Sequence, residues 1–334
     1  MTPKPRKRAT LAEIAASADV SLSTASRVMR SDPRVAPDTR ERVLASARAL
    51  DFRPNKLAHS LKTGTASTML ALLIPDVDDP FFASVAGGIQ DAAAKRGYVT
   101  MLGCHKNSCE TAERIAAQVV GFRPAALIMT PADRDEVPPS VLDEVRFGTP
   151  VLLLDRPASN LDATAMVTNN EEAMTALTRG LLAQGVESFV PVCLSAAMWT
   201  QAVRLAALRE CGAGRVGRVF AIEDDGGLDA AALCAEIAAL PGRVAVVGLS
   251  VPPLIQAIAA TDALRPRPAF ACFDTHVLFE RMSEHVYAVA QDARGLGERA
   301  ASCVLDMIRD GVGGIRRIVV PASGPRFYGG VATG

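Results

Sequence analysis

From Thr68 onward, apolar runs of strand length alternate with amphipathic helices, and this alternation constrains the fold more than any other feature of the 334-residue chain. The runs are continuous in Val, Leu and Ile, which is typical of parallel strands covered on both faces. They form two successive sets of similar length. We therefore predict an α/β core over residues 68–334, with one lobe at about 68–163 and 293–325 and a second at about 164–292.

Polar residues follow most of the predicted strands of the core. Ligands of open α/β sheets bind outside the carboxyl ends of strands, so these residues are candidates for ligand contacts in a cleft between the lobes. They are Asp76, Asp155, Arg156, Asn169, Asn170, Asp224, Asp274 and Gln291.

Residues 9–30 predict two short helices joined by a tight turn. Thr10 and Glu13 have the spacing of a capping box, residues 18–20 form the turn, and Ser21 can cap the second helix. This is a helix-turn-helix pattern, in which the second helix lies in the DNA major groove, although ordinary helical bundles also contain such pairs. The apolar face of the second helix is predicted to consist of Leu22, Ala25, Val28 and Met29.

The charge distribution separates the N-terminal region from the core. The whole chain is neutral, with 36 basic and 36 acidic residues, but residues 1–62 contain 13 Lys and Arg against 6 Asp and Glu. This region therefore has a net charge of +7 and the remainder −7. A basic module attached to an acidic body is typical of a DNA-binding head. Residues 1–8 are predicted to be a basic, disordered tail that DNA attracts.

A third helix is predicted at about 37–50, and residues 54–67 follow it. The helical part of this second segment is short, bounded by Pro54 and Gly64, and too short to be stable in isolation. It is either a hinge helix that folds against DNA and a partner copy, or a flexible linker. We divide the region into a headpiece at 9–54 and a hinge at 55–67.

Composition argues against several functions. No apolar run is long enough to span a bilayer and no signal-peptide segment is present, so we expect a cytoplasmic, nucleoid-associated protein without a membrane partner. Seven cysteines form no CxxC pair and four histidines lack metal-ligand spacing, so we expect reduced thiols, no metal and no cofactor. The absence of a nucleophile elbow, a P-loop or a metal-ligand cluster predicts that the protein is not an enzyme.

The order of these segments resembles the lactose-repressor (LacI/GalR) family of bacterial transcription regulators. The resemblance is most specific in ATLAEIA, VSLSTASRVM, VAPDTRERVL and FRPNKLAHSLKTG, and it continues through DPFF (79–82), LLLDR (152–156) and CFD (272–274). It implies an all-α headpiece and a hinge helix before a two-lobed core similar to periplasmic sugar-binding proteins. It also implies a homodimer, or a tetramer, that binds double-stranded operator DNA with an affinity changed by a sugar, sugar acid or derivative.

The resemblance places Leu22 and Ser23 at the two main specificity positions of the recognition helix and Arg27 one turn further along. Arg27 can bind a guanine bidentately, or it can contact a phosphate. Leu22 can contact a thymine methyl group. The remaining predicted contacts, to phosphates or the groove, are Ser21, Thr24 and Ser26.

In the hinge, Leu61 matches the family's leucine wedge, which enters the minor groove with its symmetry mate and kinks the DNA. The alternative is that Leu61 only packs the hinge. The resemblance also implies that Asn55 and Lys62 contact phosphates or minor-groove atoms. His59 stands where the family usually has arginine, which weakens that contact because histidine is mostly uncharged at neutral pH.

In the cleft, Phe81 and Phe82 resemble the paired aromatic residues that pack against a sugar ring in this family. The polar positions that match hydroxyl-binding residues are Asp155, Arg156, Arg204, Asp274 and Gln291.

The cleft also departs from the family pattern. Asp79, a further predicted effector contact, replaces the asparagine that usually precedes Pro-Phe-Phe, and Leu249-Ser250 stands in place of Asn-Asp. Asp292 replaces the proline that usually follows Gln291. These changes indicate a less hydroxylated or cationic ligand, or none.

The sequence therefore predicts an operator-specific repressor, dimeric and released by a sugar-like effector. One alternative is the same DNA-binding protein with a vestigial pocket. Another is a solute-binding protein, against which the basic head and the missing export signal both count.

Overall fold

The computed structural model describes residues 9–29, 32–52, 67–222, 227–311 and 313–329. The chain divides into two compact units, Met1–Ser67 and Thr68–Gly334. The predicted tail at 1–8 and nearly all of the predicted hinge at 55–67 lie outside the described residues.

The described residues of the first unit form three helices, α1 (Leu11–Ser17), α2 (Leu22–Met29) and α3 (Pro37–Ala49). The predicted capping box is confirmed, since Thr10 Oγ1 accepts from the Glu13 amide at 3.3 Å and Glu13 Oε2 accepts from the Thr10 amide at 2.6 Å. These bonds satisfy two amides that the first turn of a helix otherwise leaves open, so α1 has a fixed start.

The turn and the small core of this unit hold α2 against its neighbours. Asp19 adopts a left-handed conformation, with φ of 50°, which allows α1 and α2 to meet at a sharp angle. The prediction that Leu22 belongs to the packed face of α2 is wrong. Leu22 is 49% exposed, because it lies at the first position of the helix, beyond the reach of α1 and α3. The core consists of Ile14, Ala15, Ala18, Ala25, Val28, Val43 and Ala47.

The first lobe of the second unit is a six-stranded parallel sheet in the order β11-β5-β4-β3-β1-β2. Its strands are β1 (Met69–Ile74), β2 (Val99–Cys104), β3 (Ala126–Met129), β4 (Val151–Leu154), β5 (Thr164–Thr168) and β11 (Arg317–Val320). Its helices are α4 (Pro80–Lys95), α5 (Cys109–Val120), α6 (Pro139–Arg146) and α11 (Ala293–Asp310).

Two glycines allow α4 and α11 to pack closely on one face of this sheet. A Cβ atom at Gly88 would collide with the carbonyl oxygen of Arg294, and one at Gly297 would collide with that of Val85. The helices then cover a buried apolar layer that includes Ile89, and so complete the core of the lobe.

The second lobe contains a six-stranded sheet in the order β12-β10-β9-β8-β6-β7, which is parallel except for β12. Its strands are β6 (Ser188–Cys193), β7 (Phe220–Ala221), β8 (Val244–Gly248), β9 (Ala269–Phe273), β10 (His285–Val289) and β12 (Arg326–Gly329). Its helices are α7 (Asn170–Ala183), α8 (Trp199–Gly212), α9 (Ala230–Ala239) and α10 (Val251–Ala260).

The predicted lobe boundary at about 163/164 falls before β5, whereas the sheet pairing places it after β5. Strand β5 pairs with β4 and β11 in the first sheet, so the chain enters the second lobe only after Thr168. Alternating apolar runs identify a strand but do not tell which sheet provides its hydrogen-bonding partners. The connection from 155 to 163 contains no helix and returns β5 to its own sheet.

Candidate nucleic-acid interface and ligand cleft

The start of α2 presents hydroxyl groups that bond to one another and to the helix. Ser21 Oγ accepts from the Thr24 amide at 3.1 Å, which caps the helix as predicted. The same oxygen lies 2.8 Å from the hydroxyls of Ser23 and Thr24. Ser21 and Ser23 are exposed and Thr24 is partly exposed, so these hydroxyls are accessible to a ligand outside the helix.

Leu22 and Arg27 extend this exposed face, and Ser26 borders it as a partly exposed residue. The guanidinium of Arg27 makes no hydrogen bond or ion pair with another residue that the structure describes. The face therefore combines an apolar side chain, hydroxyl groups and an available cation, which are the groups that read base edges and bind phosphates. The predicted hinge contacts Asn55, Leu61 and Lys62 lie outside the described residues.

All eight residues predicted to contact an effector line one cavity of about 600 Å³ between the two lobes of the core. The first lobe contributes residues at the start of α4 and after β4, and the second contributes residues from α8 and after β9 and β10. A cavity of this size suits a small molecule. The eight residues are Asp79, Phe81, Phe82, Asp155, Arg156, Arg204, Asp274 and Gln291.

Asp79 and the two phenylalanines form the N-terminus of α4 at the cavity. Asp79 Oδ1 accepts from the Phe81 amide at 2.9 Å and caps the helix. The rings of Phe81 and Phe82 meet edge to face with centroids 5.0 Å apart. Phe82 is only 7% exposed and packs into the first-lobe core, so Phe81 offers the larger apolar surface to a ligand.

Asp155 and Arg156 follow β4 and are both buried. Asp155 adopts a left-handed conformation, with φ of 68°, and its carboxylate approaches the Arg156 guanidinium at 3.7 Å. Burial raises the pKa of Asp155, and the charges of Arg156 and Arg204 oppose that rise. An ionised Asp155 is therefore costly in this position, and nearby donors or cations reduce that cost.

Arg156 is held mainly by residues of the first lobe. Most of its donors bond to the protein, which leaves few for the hydroxyl groups of a ligand. Its guanidinium donates to the Pro131 carbonyl at 2.7 Å and to Asn107 Oδ1 at 2.8 Å. It also forms an ion pair with Asp135 at 3.1 Å. These contacts hold the Arg156 side chain against the first lobe, so it does not extend across the cavity.

Arg204 supplies the cation of the second lobe and is 3% exposed. It donates to Asn170 Oδ1 and to the Leu249 carbonyl, both at 2.7 Å, and lies 3.7 Å above the ring of Phe273. Burial lowers the pKa of Arg204 to about 10, against the opposing charges of Asp155 and Asp274. The guanidinium is thus fixed and still charged at neutral pH.

Asp274 and Gln291 bond to each other at the carboxyl ends of β9 and β10. Asp274 accepts from the Thr275 amide at 2.7 Å and from Gln291 Nε2 at 2.8 Å. Gln291 Oε1 in turn accepts from the Thr168 hydroxyl at 2.7 Å. Burial raises the pKa of Asp274, and these hydrogen bonds oppose the rise. Gln291 therefore orients Asp274 as well as lining the cavity.

The departures from the family pattern have structural explanations. Leu249 is fully buried in the second-lobe core, and only its carbonyl contributes to the site, by holding Arg204. The Ser250 hydroxyl lines the cavity and has no hydrogen-bond partner among the described residues. Asp292 caps α11, since its Oδ1 accepts from the Gly295 amide at 3.0 Å.

Sequence reasoning missed Gln201 and Asp135. Gln201 lines the cavity, is 2% exposed and has an Oε1 atom without a partner among the described residues. It precedes Arg204 by three residues on α8, a spacing that places both on one helix face and could have identified it. Asp135 accepts from the Trp199 amide at 2.9 Å and so joins the two lobes, which no local pattern indicates.

The described part of the chain contains no group of three or more His, Cys, Asp or Glu side chains that could hold a metal ion. Its helices include none that is long and apolar enough to cross a membrane.

The fold and the cleft define a helix-turn-helix module joined in one chain to a two-lobed binding domain of the periplasmic-binding-protein type. A model of the bacterial regulatory proteins of the lacI family matches residues 10–55. A model of the periplasmic binding proteins and the sugar binding domain of the LacI family matches residues 67–220. The chain belongs to the LacI family of bacterial regulatory proteins.

Curated relatives match parts of the chain. It is 26% identical to the transcriptional regulator MalR of Staphylococcus xylosus over 54% of each protein. It is 34% identical to the transcriptional repressor CytR of Escherichia coli K12 over 32% of each. It is 37% identical to a ribose operon repressor of Halalkalibacterium halodurans over 32% of this chain and 30% of that protein. The chain thus spans about half, or less, of the length of these relatives, which are named as regulators and repressors and not as enzymes.

Solved structures share the fold over nearly the whole chain. The lac repressor dimer bound to operator and an anti-inducer has a TM-score of 0.81 and 17% identity, covering 98% of this chain and 100% of that one. The complex of the regulator CelR with cellobiose has a TM-score of 0.65 and 22% identity, covering 96% of this chain and 98% of that one.

Proposed function

We propose that the protein is a sequence-specific DNA-binding transcriptional repressor that binds a pseudo-palindromic operator as a homodimer. The observation that carries the proposal is the exposed face of α2, where Ser21, Leu22, Ser23 and Arg27 stand ready to contact DNA. The basic charge of residues 1–62 supplies attraction to phosphates. Two relatives that match part of the chain are named as repressors, which supports this direction of regulation.

In the proposed complex, Leu22, Ser23 and Arg27 contact base edges, and Ser21, Thr24 and Ser26 contact phosphates or the groove. The hinge adds Leu61 as a minor-groove wedge, with Asn55 and Lys62 against the backbone or groove. Each dimer then reads two half-sites related by two-fold symmetry, which is why we propose a pseudo-palindromic operator. A tetramer would join two such dimers.

The proposed regulator responds to a small molecule bound between the lobes of the core. The cavity has the volume of a small-molecule site, and charged groups lie beside the apolar surface of Phe81. Binding there changes the affinity of the headpieces for the operator. DNA binding assigns the protein to the cytoplasmic nucleoid.

The test is selection of genomic DNA fragments by the purified full chain, followed by sequencing. We expect enrichment of one motif with two-fold symmetry, and repression of a reporter gene placed behind that motif. Sedimentation of the protein with the selected fragment distinguishes two chains per site from four. Binding that depends on salt but enriches no motif would contradict the proposal.

The wedge has its own test, the variant Leu61→Ala. We expect specific operator affinity to fall while salt-dependent non-specific binding remains, because the alanine side chain is too short to unstack a base step. A gel-shift titration against operator and unrelated DNA measures both. Unchanged specific binding would leave Leu61 with only a packing role in the hinge.

A further inference from the structure

Carboxylates outnumber cations along the cleft between the lobes. Lys106 pairs with Asp76 and Asp78 beside the cavity and offsets part of this excess. The carboxylates deeper in the cavity, here called the inner carboxylates, are Asp79, Asp155 and Asp274. The lining contains the five aspartates Asp76, Asp78, Asp79, Asp155 and Asp274 and the two arginines Arg156 and Arg204.

The two arginines compensate the inner carboxylates only in part. Arg156 pairs with Asp135, which is not part of the cavity lining, at 3.1 Å, and comes no closer than 3.7 Å to Asp155. Arg204 faces Asp155 and Asp274, whereas the neighbouring charges that act on Asp79 are those of other carboxylates. The three inner carboxylates therefore carry a net excess of negative charge when they are ionised. Such a cleft repels phosphates and carboxylates and attracts cations.

Asp79 is the inner carboxylate with the least compensation. Burial is the main cause of the raised pKa of Asp79. The neighbouring charges of Asp274, Asp155 and Asp76 raise this pKa further. Its only hydrogen bond from a described residue is the one from the Phe81 amide, which uses a single carboxylate oxygen. A cation placed here would relieve both the burial and the repulsion.

Several acceptors in the cavity lack a donor. The side chain of Asp155 is only 8% exposed and accepts no hydrogen bond from any residue that the structure describes. Gln201 Oε1 and Ser250 Oγ are also buried without a described partner. A buried acceptor without a donor is unfavourable in free energy, so a ligand rich in N–H and O–H groups fits this cavity best.

We propose that the cleft binds a small cationic ligand, an ammonium group on a compact ring or polyol, with Asp79 and Asp155 receiving the ammonium. As an assignment of the effector, this rests on the proposed function of the cleft. Apolar surface from both lobes, from Phe81 and from the start of α10 at Val251, Pro252 and Ile255, contacts the body of the ligand. Sugar acids and sugar phosphates are excluded by their charge.

The test is isothermal titration of the purified full chain with matched probes. Each set contains an amino sugar or aminoalditol and its hydroxyl and N-acetyl counterparts, for example glucosamine, glucose and N-acetylglucosamine, with glucuronate as the anionic probe. We expect at least one ammonium probe to bind about 10- to 100-fold more tightly than its neutral counterparts, the range expected of a charge-assisted hydrogen bond. Stronger binding of a neutral or anionic probe, or no binding of any ammonium probe at millimolar concentration, would overturn the proposal.

The variant Asp79→Asn identifies the carboxylate. Asparagine caps a helix as well as aspartate, so α4 keeps its start while the charge is removed. We expect the preference for ammonium over hydroxyl to fall about tenfold or more. The matched control is Asp229→Asn, since Asp229 caps α9 through the Ala232 amide away from the cavity lining. Full preference in Asp79→Asn would contradict the proposal.

DNA selection without ligand separates this inference from the proposed function. Specific DNA binding together with a failed ammonium series would overturn the ligand class and leave the DNA-binding function standing. Ammonium binding together with no selected motif would do the reverse. Ammonium binding that leaves operator affinity unchanged would support the ligand class and contradict its role as effector.

Discussion

The exposed face of α2 and the cleft of the core use polar side chains in opposite ways. Along α2, the predicted contacts are exposed or partly exposed, and the guanidinium of Arg27 makes no hydrogen bond or ion pair within the described residues. In the cleft, Asp155, Arg156 and Arg204 are almost fully buried and most of their neighbours are other polar groups. The side chains on α2 are available only for contacts with a partner molecule, whereas the side chains in the cleft also stabilise the folded protein.

This difference predicts which property each substitution changes. Removing an exposed contact lowers affinity and leaves stability unchanged, because no buried group loses its partner. Removing a cleft arginine lowers stability as well, because the carboxylates that it faced remain behind in a medium of low dielectric constant. Removing the charge of an uncompensated cleft carboxylate has the opposite effect on stability. Three substitutions test the comparison.

The largest effect is expected for Arg204→Met. Methionine has a similar length but leaves Asp155 and Asp274 buried without the cation that faces them, so the core should lose about 3–5 kcal/mol of unfolding free energy. Urea unfolding followed by fluorescence measures this loss, since Trp199, the one tryptophan of the chain, lies in the core.

The matched control for this substitution is Arg209→Met on the exposed side of the same helix, which should change stability by no more than about 0.5 kcal/mol. If Arg204→Met were as stable as this control, the cleft charges would not hold the lobe together and the comparison with α2 would fail.

A smaller effect, on binding alone, is expected for Arg27→Ala. Loss of a bidentate contact to guanine should cost about 1–3 kcal/mol of operator affinity and relax selectivity at one base pair in each half-site. Thermal unfolding should not change. Gel shifts with the operator and with single-base variants measure the affinity and the selectivity.

Arg48→Ala controls for the loss of one exposed charge near the end of α3. It should leave base selectivity unchanged. A uniform loss of affinity for all sequences in Arg27→Ala would assign Arg27 to a phosphate instead of a base.

The smallest effect is the pH dependence of Asp79→Asn. Because the pKa of Asp79 is raised in the folded protein above its ordinary value of 3.8, the protonated form favours folding, and this contribution is lost as pH rises through the raised value. The variant should therefore unfold at higher urea than the parent at pH 7, and the gap should close as pH falls toward 4. Trp199 fluorescence at a series of pH values measures the gap; a gap independent of pH would show that burial does not strain Asp79.

Much of the local structure could be predicted because it depends on nearby residues. The capping box of Thr10 and Glu13, the turn at Asp19 and most strands of both sheets follow from spacing and turn chemistry, whereas β11 and β12 were not predicted. The placement of β5 did not follow, because the choice of sheet depends on hydrogen bonds between distant segments. Leu22 was misplaced for a related reason, since helical periodicity does not tell how far neighbouring helices extend.

The residues of the cleft could be predicted, but their partners could not. All eight predicted residues line the cavity. Which of them are free to bind a ligand and which bond to the protein depends on tertiary contacts, such as the hydrogen bonds from Arg156 to Pro131 and Asn107. Neither partner is near Arg156 in sequence, so no motif reveals that this arginine is already occupied.

The chain passes between the lobes three times, after β5, before α11 and before β12, and side chains join these passages. Thr168 in the first binds Gln291 in the second, and Asn169 Oδ1 accepts from the Ala322 amide in the third at 2.7 Å. Gln291 also donates a hydrogen bond to Asp274. A ligand that bonds to Asp274 is therefore connected, through Gln291, to the segments that join the two lobes. The floor of the cavity and the connections between the lobes are therefore joined by the same hydrogen bonds.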